Sequence, residues 1–368
     1  MIGLDSPWAL AACGVLVGAI MGFVARHNHF CTMSALERFW YAGDSNGLRS
    51  WALAAAVALL VTQTMSAAGI VDISDSFYLT PVLPIAGSLF GGVMFGVGMA
   101  LVGTCGFGAI IRLGGGNLRA LVVLTGIGLA AIAAQRGITG HFRVNAVEPL
   151  SVDLAPATSQ SIGALLSRLT GLALEFPLAL AIGGGALIWI FASSAFRRDK
   201  GKIAAGATIG LCIAAGWLAT SWFSGRLFSE VQIEAGSFVM PVGDTILQLI
   251  TVTGALPDYG VGLVVGVFVG AAVAAWRADD MRWEACDDAR ELSRHLAGAF
   301  LMGTGGVFAI GCTIGQGVSA ASLMSLSVPL TMAGIVFGAR IGLGYLVEGA
   351  PFGFITQLGR HAGREPAE

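Results

Sequence analysis

The chain has 368 residues, of which 55% belong to the AVILMFWYC set and only 11% are Asp, Glu, Lys or Arg. Soluble domains carry about 25% charged residues, so there is too little charge here to coat a water-facing surface. A soluble enzyme and a disordered chain are excluded, and a net charge of −2 leaves no basic footprint for nucleic acid. Mean hydropathy is +0.80 and 54 residues are glycine, with no collagen period. Together these point to an all-α polytopic membrane protein, a single integral membrane domain whose helices pack closely or break inside the bilayer.

Met1–Pro7 has no basic region and carries Asp5, so no secretory signal is expected and the first apolar stretch should remain as a span. A helix needs roughly 20 apolar residues to cross the hydrocarbon core. In chain order the sequence predicts nine spans, near Trp8–Ala25, Trp51–Ile70, Val82–Gly103, Leu118–Ala134, Leu172–Ala195, Ile203–Phe223, Tyr259–Trp276, His295–Gly311 and Leu326–Leu346. Four pieces are too short to span: Cys31–Trp40, Thr104–Asn117, Asp244–Gly254 and Cys312–Ser325. Short re-entrant helices are expected there. Ser161–Thr170 reads as an amphipathic interfacial helix with Ile162, Leu165, Leu166 and Leu169 on one face.

Lys and Arg set the orientation. With the N-terminus outside, fifteen of the 20 fall on the cytoplasmic side, four outside (Arg136, Arg143, Arg168, Arg226), and Arg340 within a span. The C-terminus is then cytoplasmic. A shift of 207 residues lays Gly91, Gly96, Gly98, Cys105 and Gly108 on Gly298, Gly303, Gly305, Cys312 and Gly315. In this topology the two copies run in opposite directions, an inverted pseudo-repeat with halves of approximately 1–171 and 172–368. A second echo, Gly14–Ala19 against Gly266–Ala271, runs inward in both copies and does not fit a simple inverted repeat.

The chemistry centres on the broken segments. One reads Gly103-Thr104-Cys105-Gly106-Phe107-Gly108, followed by Gly114-Gly115-Gly116-Asn117; the other reads Gly311-Cys312-Thr313-Ile314-Gly315-Gln316-Gly317. Breaks at bilayer depth free backbone groups that only protein or a wet cavity can satisfy. A half-helix beginning there aims its amides and positive dipole end into that cavity, and two such ends make an anion-attracting centre. Asn117 is the expected N-cap of the next span. Cys105, Cys312 and Cys31, which opens a third short segment, are either small packing residues in tight turns or three thiols facing one passage. A buried thiol stays neutral and is a weak donor, suited to holding a soft sulfur anion without trapping it.

Other residues carry weaker signals. Arg340 inside a span is either an anion-pathway charge or a partner of Glu348. Arg112 and Arg119 flank the glycine break, where they recruit an anion or serve the positive-inside bias. Thr104, Gly106, Thr313 and Gln316 accompany the thiols as pathway candidates. Glu175 reads as a helix-end residue. Cys13, Cys212 and Cys286 lack the glycine frame, and His27 and His29 beside Cys31 are a weak metal pattern. The sequence shows no intramembrane Asp or Glu pair for a proton or cation relay. It has no Walker A sequence, G-x-S-x-G, HExxH or CxxC, so no ATP, metal or other cofactor is expected and no enzyme chemistry beyond the thiols.

The segments Cys31-Thr32-Met33-Ser34-Ala35, Gly103–Gly108 and Gly311–Gly317 resemble those of the YeeE/YedE family of sulfur-transport membrane proteins, along nearly the whole chain. The resemblance implies an hourglass-shaped inner-membrane protein with broken helices entering from both faces. It implies uptake of thiosulfate, relayed by S–H···S contacts past three cysteines that fall on Cys31, Cys105 and Cys312. It also implies a cytosolic sulfur-carrier partner of the TusA type, which the short tail after Leu346 is not expected to contain. The alternatives are transport of another sulfur or selenium compound, a membrane thiol sulfurtransferase or disulfide exchanger, and a scaffold for the carrier protein.

Overall fold

The structure, a computed structural model, describes residues 7–155, 159–227, 231–251, 256–286 and 288–350. Asp5, Gly254 and two of the fifteen residues assigned to the cytoplasmic side, Arg360 and Arg364, lie outside the described residues. The helices in chain order are α1 Pro7–His27, α2 Thr32–Ala42, α3 Asn46–Ala67, α4 Gly92–Val102 with a π-helical lead-in at Gly87–Gly91, α5 Gly106–Gly114, α6 Leu118–Arg136, α7 Ile138–Phe142, α8 Ile162–Thr170, α9 Glu175–Phe191, α10 Ser194–Arg198, α11 Lys200–Ser224, α12 Met240–Ile250, α13 Tyr259–Arg277, α14 Ala289–Phe308 and α15 Ser327–Val347. A further helical segment, residues 313–322, contains the π-helical Gly315–Ala320. Among the described residues the strands are β1 Val82–Leu83 and β2 Val152–Asp153, paired antiparallel with Val82 opposite Asp153.

Among the described residues, seven helical stretches are long and apolar enough to cross a bilayer: Trp8–Ala42, Asn46–Ala67, Gly87–Gly114, Leu118–Arg136, Lys200–Ser224, Tyr259–Arg277 and Ser327–Val347. Helix α9 is apolar but 17 residues long, and α14 has 20 residues with Arg290, Glu291 and Arg294 in its first two turns. Leu16, Ile20, Leu129, Ile188, Phe268 and Phe337 point outward and are exposed. Such a surface is unfavourable in water and suited to lipid, and the chain is a multi-pass membrane protein. The stretch expected to span from Val82 begins its helix only after Pro84, whose carbonyl accepts the Ser88 amide at 2.8 Å. Helix α12 starts four residues before the expected Asp244, where Pro241 suits the first turn.

Lipid supplies no hydrophobic force between helices, so close packing of small residues does the holding. Gly14, Gly18 and Gly22 of α1 face Gly262, Gly266 and Gly270 of α13. A Cβ on Gly18 would sit on the Leu263 carbonyl oxygen, and one on Gly266 on that of Val15. The contacts advance together, so these helices are parallel. The second sequence echo is therefore the two sides of one packing seam, and that explains why both copies run the same way.

Similar contacts make α3 parallel to α11 (Gly206 on Ser50, Gly210 on Ala54), α4 parallel to α15 (Gly92 on Thr331, Gly96 on Ile335) and α6 parallel to α14 (Gly126 on Ala299, Gly303 on Ile127). Helices α4 and α14 instead run antiparallel, with Gly91 against Gly305 and Gly98 against Gly298. Helix α9 is antiparallel to α3, since Gly183 meets Leu60 while Arg49 donates to the Ile190 carbonyl at 3.0 Å.

Candidate functional site

Cys31, Cys105 and Cys312 each occupy the residue just before a helix. Cys31 is extended (φ −148°, ψ 126°) ahead of α2, Cys105 is extended (φ −87°, ψ 177°) ahead of α5, and Cys312 precedes the 313–322 helix. Two residues upstream of each, the backbone turns left-handed: His29 at φ 54°, Gly103 at φ 75° and Ile310 at φ 53°. The local plan recurs three times: a helix ends, a left-handed residue reverses the chain, and two residues later the cysteine precedes the next helix; only at the third does the intervening residue, Gly311 at φ 148°, also have a positive φ. The first amides of that helix have no partner within it and face the cysteine. At Cys312 one is used locally, the Gly315 amide donating to Sγ at 3.3 Å.

Glycine adopts the left-handed conformation freely at Gly103. Ile310 is β-branched, and holding it there costs roughly 1–3 kcal/mol. The surroundings over-determine it. The Gly311 amide donates to the Gly306 carbonyl at 2.8 Å, and Gln316 Nε2 donates to the carbonyls of Ala309 and Ile310 at 2.9 and 3.1 Å.

At the centre, Cys105 and Cys312 are 2% and 1% exposed. Cys31 and Cys312 both lie within electrostatic range of Cys105, and the buried Thr313 hydroxyl stands beside the Cys105 thiol without a well-formed hydrogen bond. Two aromatics that sequence reasoning missed complete the centre. The Phe238 ring packs on Phe107 with centroids 4.8 Å apart, and its carbonyl lies against Gly106. Tyr78, 2% exposed, brings its hydroxyl to Gly311 and Gly315 and within range of Cys312. The extended segment that delivers Phe238 is clipped to the 313–322 helix by Ser319, which accepts the Gly236 amide at 3.1 Å and donates to the Gly236 carbonyl at 2.7 Å. A signal for Phe238 did exist: the 207-residue shift carries Cys31 and Met33 onto Phe238 and Met240.

The remaining pathway candidates divide. Thr104, Gly106, Thr313 and Gln316 lie in the broken segments beside the thiols and are buried. Arg112 donates to the Gly103 carbonyl at 2.8 Å and lines a cavity of about 280 Å³ with Thr104, Asn117, Arg294 and His295. Arg340 lies in a separate cluster, paired with Glu348 at 2.9 Å and the Tyr41 hydroxyl at 2.8 Å and facing the Trp40 ring. Asn117 caps α6 as expected, accepting the Ala120 amide at 3.1 Å, and its amide also reaches Glu284 at 2.8 Å.

A family model described as sulphur transport matches residues 27–341, a range that contains all three thiols and both glycine breaks. The chain belongs to the sulphur-transport family. It is 26% identical over 333 residues to the thiosulfate transporter TsuA of Spirochaeta thermophila, covering 88% of this chain and 96% of that protein. It is 24% identical over 332 residues to the thiosulfate transporter TsuA of Escherichia coli, covering 86% and 89% respectively.

In this sulphur-transport protein Cys31 is the accessible thiol of the three. It is partly exposed in a cavity of about 340 Å³ lined by Asn28, Ser34, Arg38, Trp51, Asp199 and Lys202 among others. All six cysteines are free; Cys13 and Cys212 lie within electrostatic range of Tyr259, and Cys286 lies in the charged connection before α14. Three acids on separate segments also gather near the N-terminal end of α13. Glu234, 9% exposed on the extended segment, Asp244 on α12 and Asp258 ahead of α13 come within electrostatic range of one another. They stand on three separate pieces of chain, so no local spacing announced them. Burial, with Asp258 adding to it and Arg136 opposing it, raises the Asp244 carboxyl to about 6.

Proposed function

We propose that this protein takes thiosulfate into the cell along a narrow route past Cys312 and Cys105 to Cys31. The observation that carries this reading is that three cysteines, each preceding a helix, come within electrostatic range at Cys105, with Cys105 and Cys312 buried and Cys31 partly exposed. Helix N-termini attract the anion electrostatically. Neutral S–H groups donate weakly to its terminal sulfur, deep enough to select and shallow enough to release. The names of the two relatives support thiosulfate over other sulfur oxyanions.

In this reading Thr104, Gly106, Thr313 and Gln316 line the constriction and Arg112 adds positive charge at the cytoplasmic mouth, while Arg340, paired with Glu348, holds its place beside α2. The chain crosses the inner membrane nine times, by α1, α3, α4, α6, α9, α11, α13, α14 and α15, with the N-terminus outside and the C-terminus in the cytoplasm. Every parallel or antiparallel pairing described above agrees in sense with that count. The halves, approximately 1–171 and 172–368, form an inverted pseudo-repeat around an hourglass waist. The packing of α1 on α13 answers that of α3 on α11, and α4 on α15 answers α14 on α6, as a two-fold exchange demands. A cytosolic carrier of the TusA type collects the sulfur at the Cys31 cavity.

The test is uptake of labelled thiosulfate into sealed vesicles against sulfate, sulfite and selenite. Wild type takes up thiosulfate, and Cys105→Ala and Cys312→Ala fall to the protein-free background while still reaching the membrane. Undiminished uptake by Cys105→Ala sinks the route. A persulfide trapped on Cys105 during turnover assigns sulfur transfer instead. The membrane potential opposes a dianion by about 2.3 kcal/mol per charge per 100 mV, so accumulation needs a coupled driving force.

A further inference from the structure

Glu234 is a buried carboxyl that the thiol relay does not use. Its backbone belongs to the extended run 231–239 that descends from the exposed Gln232 to Phe238 at the constriction. Its carboxyl lies against Gly260, whose amide donates to it. The charged groups acting on it are Asp258, exposed ahead of α13, and Asp244 on α12, both carboxylates; Arg136 faces Asp244. On its inner sides stand two tyrosine hydroxyls within electrostatic range, Tyr259 from α13 and Tyr78 from the turn Phe77–Leu79. These side chains are 1% and 2% exposed, and neither hydroxyl has a well-formed hydrogen-bond partner. Tyr259 in turn faces Cys212 and Cys13, and Tyr78 faces Cys312 and the Ser237 hydroxyl. A buried acid with two carboxylates on its outer side, and unsatisfied buried hydroxyls between it and the constriction thiol, is built to hold a proton and hand it inward.

We propose that Glu234 is a proton-binding site through which protons enter together with thiosulfate. This rests on the transport reading above. An ionised Glu234 repels a dianion arriving at Cys312; a protonated one does not, and the dianion in turn favours the proton on Glu234. Burial and the carboxylates Asp258 and Asp244 favour the neutral form and raise this carboxyl well above the ordinary range. The proton arrives by way of Asp258, rests on Glu234, and leaves along the Tyr78 and Ser237 hydroxyls toward Cys312, reaching the cytoplasm with the anion. No bond is oxidised or reduced. Each proton loaded from outside is one released inside.

The experiment uses the full chain in liposomes at zero membrane potential, clamped with potassium and valinomycin, with pyranine inside. Thiosulfate added outside should acidify the lumen. An outside pH one unit lower should raise steady-state labelled thiosulfate about tenfold for each coupled proton. Glu234→Gln, nearly isosteric, should remove both the acidification and the response to the gradient. Wild-type uptake that ignores the pH gradient, a response to a sodium gradient in its place, or a pH response retained by Glu234→Gln overturns the proposal. The pyranine signal of the wild type decides whether protons enter with thiosulfate even if the variant fails to fold, and Glu234→Asp, which keeps a titratable carboxyl, should retain the response that Glu234→Gln loses. Absence of any wild-type thiosulfate flux down its own gradient would refute the transport reading itself, which separates the two failures.

Discussion

The turns at Cys105 and Cys312 both reverse at a left-handed residue two positions before the thiol but are held in different ways. The first reverses at Gly103, where an added Cβ would meet no atom within 4 Å, and Arg112 braces the Gly103 carbonyl beside a cavity. The second reverses at Ile310 and is fastened by a buried network. Gln316 holds two carbonyls, Ser327 donates to Gln316 Oε1 at 3.3 Å, Trp217 Nε1 donates to Ser322 Oγ at 3.0 Å, and Gln63 reaches the Ser322 carbonyl at 2.9 Å. One geometry is thus reached by backbone freedom in one place and by polar satisfaction in the other. The glycine solution sets the Cys105 turn beside the charged groups that line that cavity. The network solution makes the Cys312 side rigid and costly to disturb, because a buried polar group stripped of its partner forfeits its solvation.

The sharpest way to break this contrast is to remove one brace from each side. Gln316→Leu leaves buried acceptors unpaired and should cost about 2–5 kcal/mol, read as a large fall in the thermal midpoint in detergent. Arg112→Ala should cost about 1 kcal/mol or less, because its site is wet. Equal losses would erase the distinction. With Cys13, Cys212 and Cys286 replaced by serine, a polar maleimide should label Cys31 well before Cys105 or Cys312. Simultaneous labelling would mean the centre is open to water.

Smaller effects refine the picture. Gly103→Ala should cost about 1 kcal/mol, a conformational penalty alone, since nothing crowds the new methyl. Asp199, on the wall of the Cys31 cavity, caps α11 by accepting the Lys202 amide at 3.1 Å, so Asp199→Ala should cost about 1 kcal/mol. Burial opposes ionisation of Asp199, but the Lys202 amide, ammonium and charge outweigh it and hold the carboxyl below its usual value. A lowered carboxyl stabilises fully above its unfolded value and loses that contribution as pH falls through the lowered one. The gap in thermal midpoint between wild type and Asp199→Ala should hold from about pH 8 to about pH 5 and close below about pH 4.

Much of this protein was readable before any coordinates. Among the described residues, seven long apolar helices, the four short helices at Cys31, Cys105, Asp244 and Cys312, the short helix α8 and the Asn117 cap all follow from local composition. Each is decided within a few turns of chain: lipid demands apolar length, and a break demands glycine or a cap. The glycine frames around Cys105 and Cys312 singled out two thiols for the same reason. The sequence could not say that Gly14–Ala19 lies against Gly266–Ala271, that Phe238 closes on Phe107, or that Glu234, Asp244 and Asp258 share one neighbourhood. Those are meetings between segments far apart in the chain, selected by which small faces fit one another once every helix has a place. Residue type determined what each segment is; close packing in three dimensions determined what it touches.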